Sequence, residues 1–384
     1  MSEDVGAAAV NREDGSFDTR LLPVLMDGPQ DVRRLRELLD RGEVAAEDIQ
    51  GINISHEGDM FARALTSDAF AGLLAERLGV SVDDVKATVP IQAIAGMAGF
   101  MVPHAVVVLR RAVARPANGS KRLIAACGCT RAMEPDEVGT LTHVRLVRDE
   151  VARLIGEAYI DDPSDVHFVF VKGPSPIGAR RFEAERQGKS LVSDDDRTVG
   201  MFSRGAAALG SAIALGEVSE AQVEESGVLG NLAELYSRVT HCSSGGERVS
   251  NGIILLGNSS RSSSDYVIGH GMMQDSLDTN GVKDVLRTMK FDFDCCPSET
   301  DRARIEYAFV KSKSTDEVPT IRGHRHTLKS DAVLGPFAWK VEKAPVHATV
   351  ASVLGTPVFE VATGSSHQGP WGCPLVAVIA RAAA

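Results

Sequence analysis

Short apolar runs, each broken by a polar or glycine-rich turn, recur along the chain. They lie at Ile49–Gly58 (IQGINISHEG), Leu123–Arg131 (LIAACGCTR), Asp165–Ser175 (DVHFVFVKGPS), Gly252–Arg261 (GIILLGNSSR) and Ile305–Thr315 (IEYAFVKSKST). Runs of this length, rich in β-branched and aromatic residues, predict buried strands. Between them, Asp31–Arg41, Val144–Ala158 and Val282–Met289 read as helices, and MFSRGAAALGSAIA reads as a turn entering a small-residue helix. Ile91 to Leu109 is the most membrane-like stretch, but Gln92, Pro103 and His104 interrupt it. Buried strands joined by a Gly/Pro turn are predicted there, not a membrane span. Strands alternating with helices make this an α/β chain.

The pattern repeats. Asp165–Ser175 and Ile305–Thr315 both end a β-rich run in Val-Lys before a small or polar turn, placing Lys172 and Lys311 in matching positions, 311 − 172 = 139 residues apart. Leu123–Arg131 precedes the first and Gly252–Arg261 the second, each followed by a helical stretch. A weaker copy at Ile49–Gly58 has Ser55 where the lysine would stand. An arginine follows each strand end: Arg63, Arg204 and Arg325. A glycine-rich turn comes late in each copy, at 94–100, 242–248 and 362–372. The expected organisation is a polar tail, 1–20, then units at 21–118, 119–250 and 251–384, each of ordinary domain size. The competing explanation is chance likeness between common αβ units.

Composition narrows the function classes. The 384 residues carry 41 Lys+Arg against 52 Asp+Glu, a net charge of −11, and aromatics are only 5%. Such a chain lacks the cations to neutralise phosphates and the rings to stack bases, so nucleic-acid binding is not expected. Six cysteines include an adjacent pair and a pair one residue apart, but no CxxC, so neither a disulfide framework nor a zinc ribbon is expected. The polar, acidic N-terminus has no signal-peptide pattern, and a cytoplasmic, reducing location is expected.

Ser243 and Lys172 make the sharpest chemical pair. A serine hydroxyl needs a base to become a nucleophile, and a lysine serves once burial or nearby cations make it neutral. Lys172 ends the very apolar FVFV run, which favours burial. Other pairs are weaker. His241 and Cys242 are adjacent, so on a strand they face opposite ways. His324 and His326 could share a face but have no nearby carboxylate to complete a metal site. Cys127 and Cys129 read as strand-end packing residues, and Asp194–Asp196 as a solvated loop.

From about Leu21 to Arg381 the chain resembles the cyanuric acid hydrolase/barbiturase family, the ring-opening amidohydrolases. The resemblance rests on HFVFVKGPSP, FSRGAAALG, YVIGHGMMQDSLD, RGHRHTLKSD and SHQGPWGCPLVAVIAR. It implies three similar α/β domains around a pseudo-threefold axis, each giving a lysine, a serine and an arginine to a central site. It implies Ser243 as nucleophile and Lys172 as base. Arg63, Arg204, Arg325, Lys311, Ser244, Ala362, Thr363 and Ala95 would line the substrate site. Ser55 stands in place of the first lysine, Ile94–Ala95 in place of the first serine, and Ala362 in place of the third. Only the middle pair is complete. A threefold-symmetric ring such as cyanuric acid would lose matched contacts at ~1–3 kcal/mol each, so a less symmetric ring with an apolar edge is expected. The family's metal site calls for an acidic residue close after the third lysine. Ser312–Ser314 carries none, and no metal or other cofactor is expected.

The expected function is hydrolysis of a C–N bond in a planar cyclic amide, imide or ureide. The alternatives are a lyase or isomerase using lysine as acid/base, and a binding protein that has lost turnover. The expected partner is the small-molecule ring, with no nucleic acid or membrane, and the resemblance implies a homotetramer.

Overall fold

A computed structural model describes residues 16–58, 60–114, 116–313, 320–327, 338–364 and 366–383. The first unit runs β1 (Ser16–Leu25), α1 (Arg33–Asp40), β2 (Ile49–Ser55), α2 (Met60–Leu78), α3 (Val82–Thr88), β3 (Ile91–Ile94) and β4 (His104–Val113). The second runs β5 (Arg122–Cys129), α4 (Leu141–Glu157), β6 (Val166–Pro174), α5 (Ala179–Arg186), α6 (Asp196–Ala214), α7 (Glu220–Ser226), β7 (Thr240–Gly245) and β8 (Gly252–Ser259). The third runs β9 (Tyr266–Met272), α8 (Thr279–Thr288), α9 (Glu299–Arg302), β10 (Ile305–Lys313), the ribbon β11 (Thr320–Ile321) and β12 (His324–Arg325), α10 (Ala338–Leu354), β13 (Glu360–Gly364) and β14 (Leu375–Arg381).

The three large sheets share one plan, ordered β1-β4-β2-β3, β5-β8-β6-β7 and β9-β14-β10-β13. In each, the third strand pairs antiparallel with the second and parallel with the fourth. A register irregularity falls at the same place in all three, at Ile49/Gly51, Val166/Phe168 and Ile305/Tyr307. Counting on from it, Ser55, Lys172 and Lys311 occupy one equivalent position, so the repeat read from the Val-Lys endings is structural.

Side-chain parity explains where the core lies. Leu123, Ala125, Phe168, Phe170, Leu21, Val106, Tyr307 and Phe309, from all three units, pack into one central cluster. The alternate residues Ile124, Ala126, Val169 and Val171 pack outward with Val147, Val151 and Ala207 of α4 and α6. Both faces of these strands are therefore covered, which is why they read as continuous apolar runs. Among the described residues, no helix is long and apolar enough to cross a membrane.

Two sequence-based boundaries shift. Residues Ser16 to Arg20 belong to β1, so the expected 1–20 tail already contains strand; 1–15 lie outside the described residues. Gly252–Ser259 does not open the third unit: β8 sits between β5 and β6 and completes the second sheet. The strand equivalent to β5 is β9, a half-exposed edge strand whose apolar signal is weak. The stronger run in β8, buried on both faces, took its place in the reading.

Candidate active site

The inward parity that fills the centre with Phe168 and Phe170 carries Lys172 to the same centre at the end of β6. Register then pairs Lys172 with Ser243, Ser55 with Ile94, and Lys311 with Ala362. Parallel strands lie about 4.8 Å apart, so each pair shares one face. Ala95, Ser244 and Thr363 are the next residues on their segments. Ser244 is buried, while Ala95, Ser243 and Thr363 are half-buried. Of the three pairs, only Lys172 and Ser243 combine an amine with a hydroxyl.

The lysines link the units. Lys172 Nζ donates to the carbonyl of Ala93 in the first unit. Lys311 Nζ donates to the carbonyl of Cys242 in the second at 2.6 Å. Each amine thus reaches the peptide just before the serine position of its neighbour. Burial lowers both pKa values to about 8, and Arg63 pushes Lys172 the same way. Glu247 opposes the shift at Lys172 through a buried ion pair. Glu247 is itself raised by burial, but Lys172 and Arg63 outweigh this and hold it below its ordinary range.

Two arginines converge on the residue after Ser243. Arg204 Nη1 donates to Ser244 Oγ at 3.0 Å, and Arg63 Nη1 donates to the Ser244 carbonyl at 3.2 Å. Burial lowers the Arg204 pKa to about 10. Arg204 lies in the middle of α6, not in a turn entering it, because the helix starts at Asp196 with Asp195 as its cap. The expected acidic loop at Asp194–Asp196 is therefore partly the start of α6. Arg325 lies exposed on β12, beside His324.

Ser312 follows Lys311 and is fully buried, and its hydroxyl has no partner among the described residues. Ser314 lies outside the described residues. No group of three or more His, Cys, Asp or Glu side chains gathers to hold a metal among the described residues. Where the resemblance implies an acidic ligand close after the third lysine, Ser312 offers a hydroxyl and no carboxylate.

Two residues that the sequence reading missed support the site. Glu247 has no motif of its own and becomes visible only through its contact with Lys172. Gln368 Oε1 accepts from the backbone N–H of Cys242 at 2.7 Å, pinning the strand that carries Ser243. Beside it, His367 Nε2 meets the Val228 carbonyl at 2.7 Å. The SHQ segment of the third unit thus clamps the second.

The chain has clear relatives. Residues 20–381 match the family described as amidohydrolase ring-opening protein. A cyclic amide hydrolase of Rhodococcus sp is 37% identical over 358 residues, covering 93% of this chain and all of the relative. A cyanuric acid amidohydrolase of Enterobacter cloacae is 35% identical over 378 residues, 96% of this chain and all of the relative. A solved cyanuric acid hydrolase superposes with a TM-score of 0.86 at 30% identity, over 96% of this chain and all of that one. With this coverage, the chain belongs to the ring-opening amidohydrolase family.

Proposed function

We propose that this protein hydrolyses a C–N bond of a planar cyclic amide, imide or ureide, with Ser243 as nucleophile and Lys172 as base. The pairing of Lys172 with Ser243 on adjacent strands carries this reading. Ser243 Oγ attacks a ring carbonyl as its proton passes to the neutral Lys172 amine. An oxygen–carbon bond forms, and the carbonyl oxygen takes up negative charge. Arg204 and Arg63, already fixed around Ser244, are the cations close enough to hold ring oxygens. Collapse breaks the C–N bond, and the Lys172 ammonium returns its proton to the leaving nitrogen. The ring opens while the acyl group stays on Ser243. Water then attacks the ester, giving up a proton to Lys172; the bond between the acyl carbon and Ser243 Oγ breaks, Lys172 returns that proton to Oγ, and a carboxylic acid leaves.

The unequal walls support a ring of lower symmetry than cyanuric acid. Ile94 and Ala362 face the centre at the first and third serine positions, and both are buried. A ring with a hydrocarbon edge satisfies these walls without stranding its polar groups. The family relationship supports a homotetramer, and the six free cysteines support a reducing compartment.

A panel of cyclic ureides, imides and lactams, read by mass spectrometry for the gain of one water, tests the reading. A compound with an apolar edge should be opened faster than cyanuric acid. Ser243→Ala should abolish turnover while leaving ligand binding intact. A nearly normal rate in Ser243→Ala would favour lysine acid/base chemistry without an acyl-enzyme. Binding without consumption of any ring would favour a non-catalytic protein.

A further inference from the structure

We propose that Glu247 is the third member of the nucleophile's relay, a positioning residue that orients the Lys172 amine and stabilises the ammonium formed when Lys172 takes the Ser243 proton. This rests on the Ser–Lys reading above.

The carboxylate meets Lys172 in a dry setting: the lysine side chain is 0% exposed and that of Glu247 7%. The turn that carries Ser243 also carries Glu247, four residues on. Gly245 lies between them, and a Cβ there would run into the Glu247 carboxylate, so glycine lets the acid fold back over the strand end. The same offset in the other units gives Ala98 after Ile94 and Ser366 after Ala362. Only the unit that holds both serine and lysine holds the acid.

Burying two charges is expensive, and an apolar pair of similar volume often stabilises a fold as well or better. A carboxylate beside a buried base has a chemical use, because it favours the protonated lysine and so makes the amine a stronger proton acceptor. The other charged or titratable groups around Lys172 are Arg63 on α2, Arg248 after β7 and His56 after β2. Both arginines oppose protonation, so Glu247 is the acid that counters them. In the acylation step the proton moves from Ser243 Oγ to Lys172 Nζ and then to the leaving nitrogen. Glu247 stays ionised throughout and acts through the lysine alone.

The relay can be read without knowing the substrate. Phenylmethanesulfonyl fluoride on the full-length protein should sulfonylate Ser243: an O–S bond forms, fluoride leaves, and the serine proton goes to Lys172. Intact mass and peptide mapping give the rate as a function of pH. In the wild type the rate should rise through about pH 8. In Glu247→Gln the midpoint should fall by about one pH unit or more, and the plateau about tenfold, since a weaker base then activates the serine. Glu247→Asp should keep the midpoint near the wild type and recover part of the plateau. A folded Glu247→Gln protein with an unchanged midpoint and plateau would overturn the proposal. Should that variant fail to fold, a Glu247→Asp protein whose plateau matches the wild type would overturn it, because the shorter acid keeps the charge nearby but lengthens the contact that orients the amine. Labelling that is indifferent to Lys172→Ala would sink the Ser–Lys reading itself.

Discussion

Lys172 and Lys311 show how alike two side chains can be in burial and unlike in use. Both end buried strands, and burial lowers both to about 8. Lys172 faces a hydroxyl in its register and a carboxylate at its tip, whereas Lys311 faces Ala362 and reaches the carbonyl beside Ser243. The base must shed a proton to work. Below about pH 8 the Lys172 ammonium dominates and the rate is held down; above it the amine is free. Measured against an active ring from the panel, kcat/KM should rise tenfold per pH unit on the acid side and level off past pH 8. Lys172→Met should remove that limb along with most of the rate. Lys311→Met should lower the rate but keep the limb, because it removes the amine that holds the Cys242 carbonyl beside Ser243 and leaves the base.

Helix α6 fixes the cluster at the level of elements. It packs on α4 and on the end of β6, where Ser203 Oγ donates to the Pro174 carbonyl at 2.6 Å, and one turn of it presents Arg204 to Ser244. Close approach depends on its small residues. A Cβ at Gly210 would meet the Val144 carbonyl oxygen and stand 2.9 Å from Val147 Cβ and 3.0 Å from Arg148 N. Backbone cannot yield as a side-chain tip can, so Gly210→Ala should cost about 1–3 kcal/mol. Calorimetry should show Tm lowered by about 2–4 °C. KM should rise as well, because tilting α6 draws Arg204 off Ser244. An unchanged Tm would mean that the two helices are not held this closely.

At the scale of the molecule, three sheets meeting at one centre bury many histidines as neutral rings. Burial lowers His104 and His143 to about 4, and burial with the neighbouring His270 lowers His167 to about 3. Each folded pKa is below the unfolded value of about 6.5, so the unfolded chain binds the extra protons. Stability is then complete above pH 6.5 and drains away as pH falls toward 4. The linkage is worth about 2–3 kcal/mol per ring at pH 4.5. Tm at pH 4.5 should lie about 10 °C below that at pH 7 from these three residues together. A flat Tm across this range would show that the rings are already protonated or solvated in the native protein.

What the chain determines by itself is local and periodic. Strands buried on both faces announce themselves as apolar runs, and a lysine ending such a run must be buried with it. The Val-Lys endings therefore marked Lys172 and Lys311, and the missing lysine at Ser55, without any structure. Half-exposed β9 left no such trace, so the third unit was given β8 instead, and the position of Arg204 within α6 was misjudged by a few residues at the helix start. Tertiary structure alone decided which side chains meet. The contact of Glu247 with Lys172 bridges 75 residues, and that of Gln368 with Cys242 bridges 126. Neither obeys a repeat of two or 3.6 residues, because partners across separate strands and units are set by how the sheets pack and not by spacing along the chain.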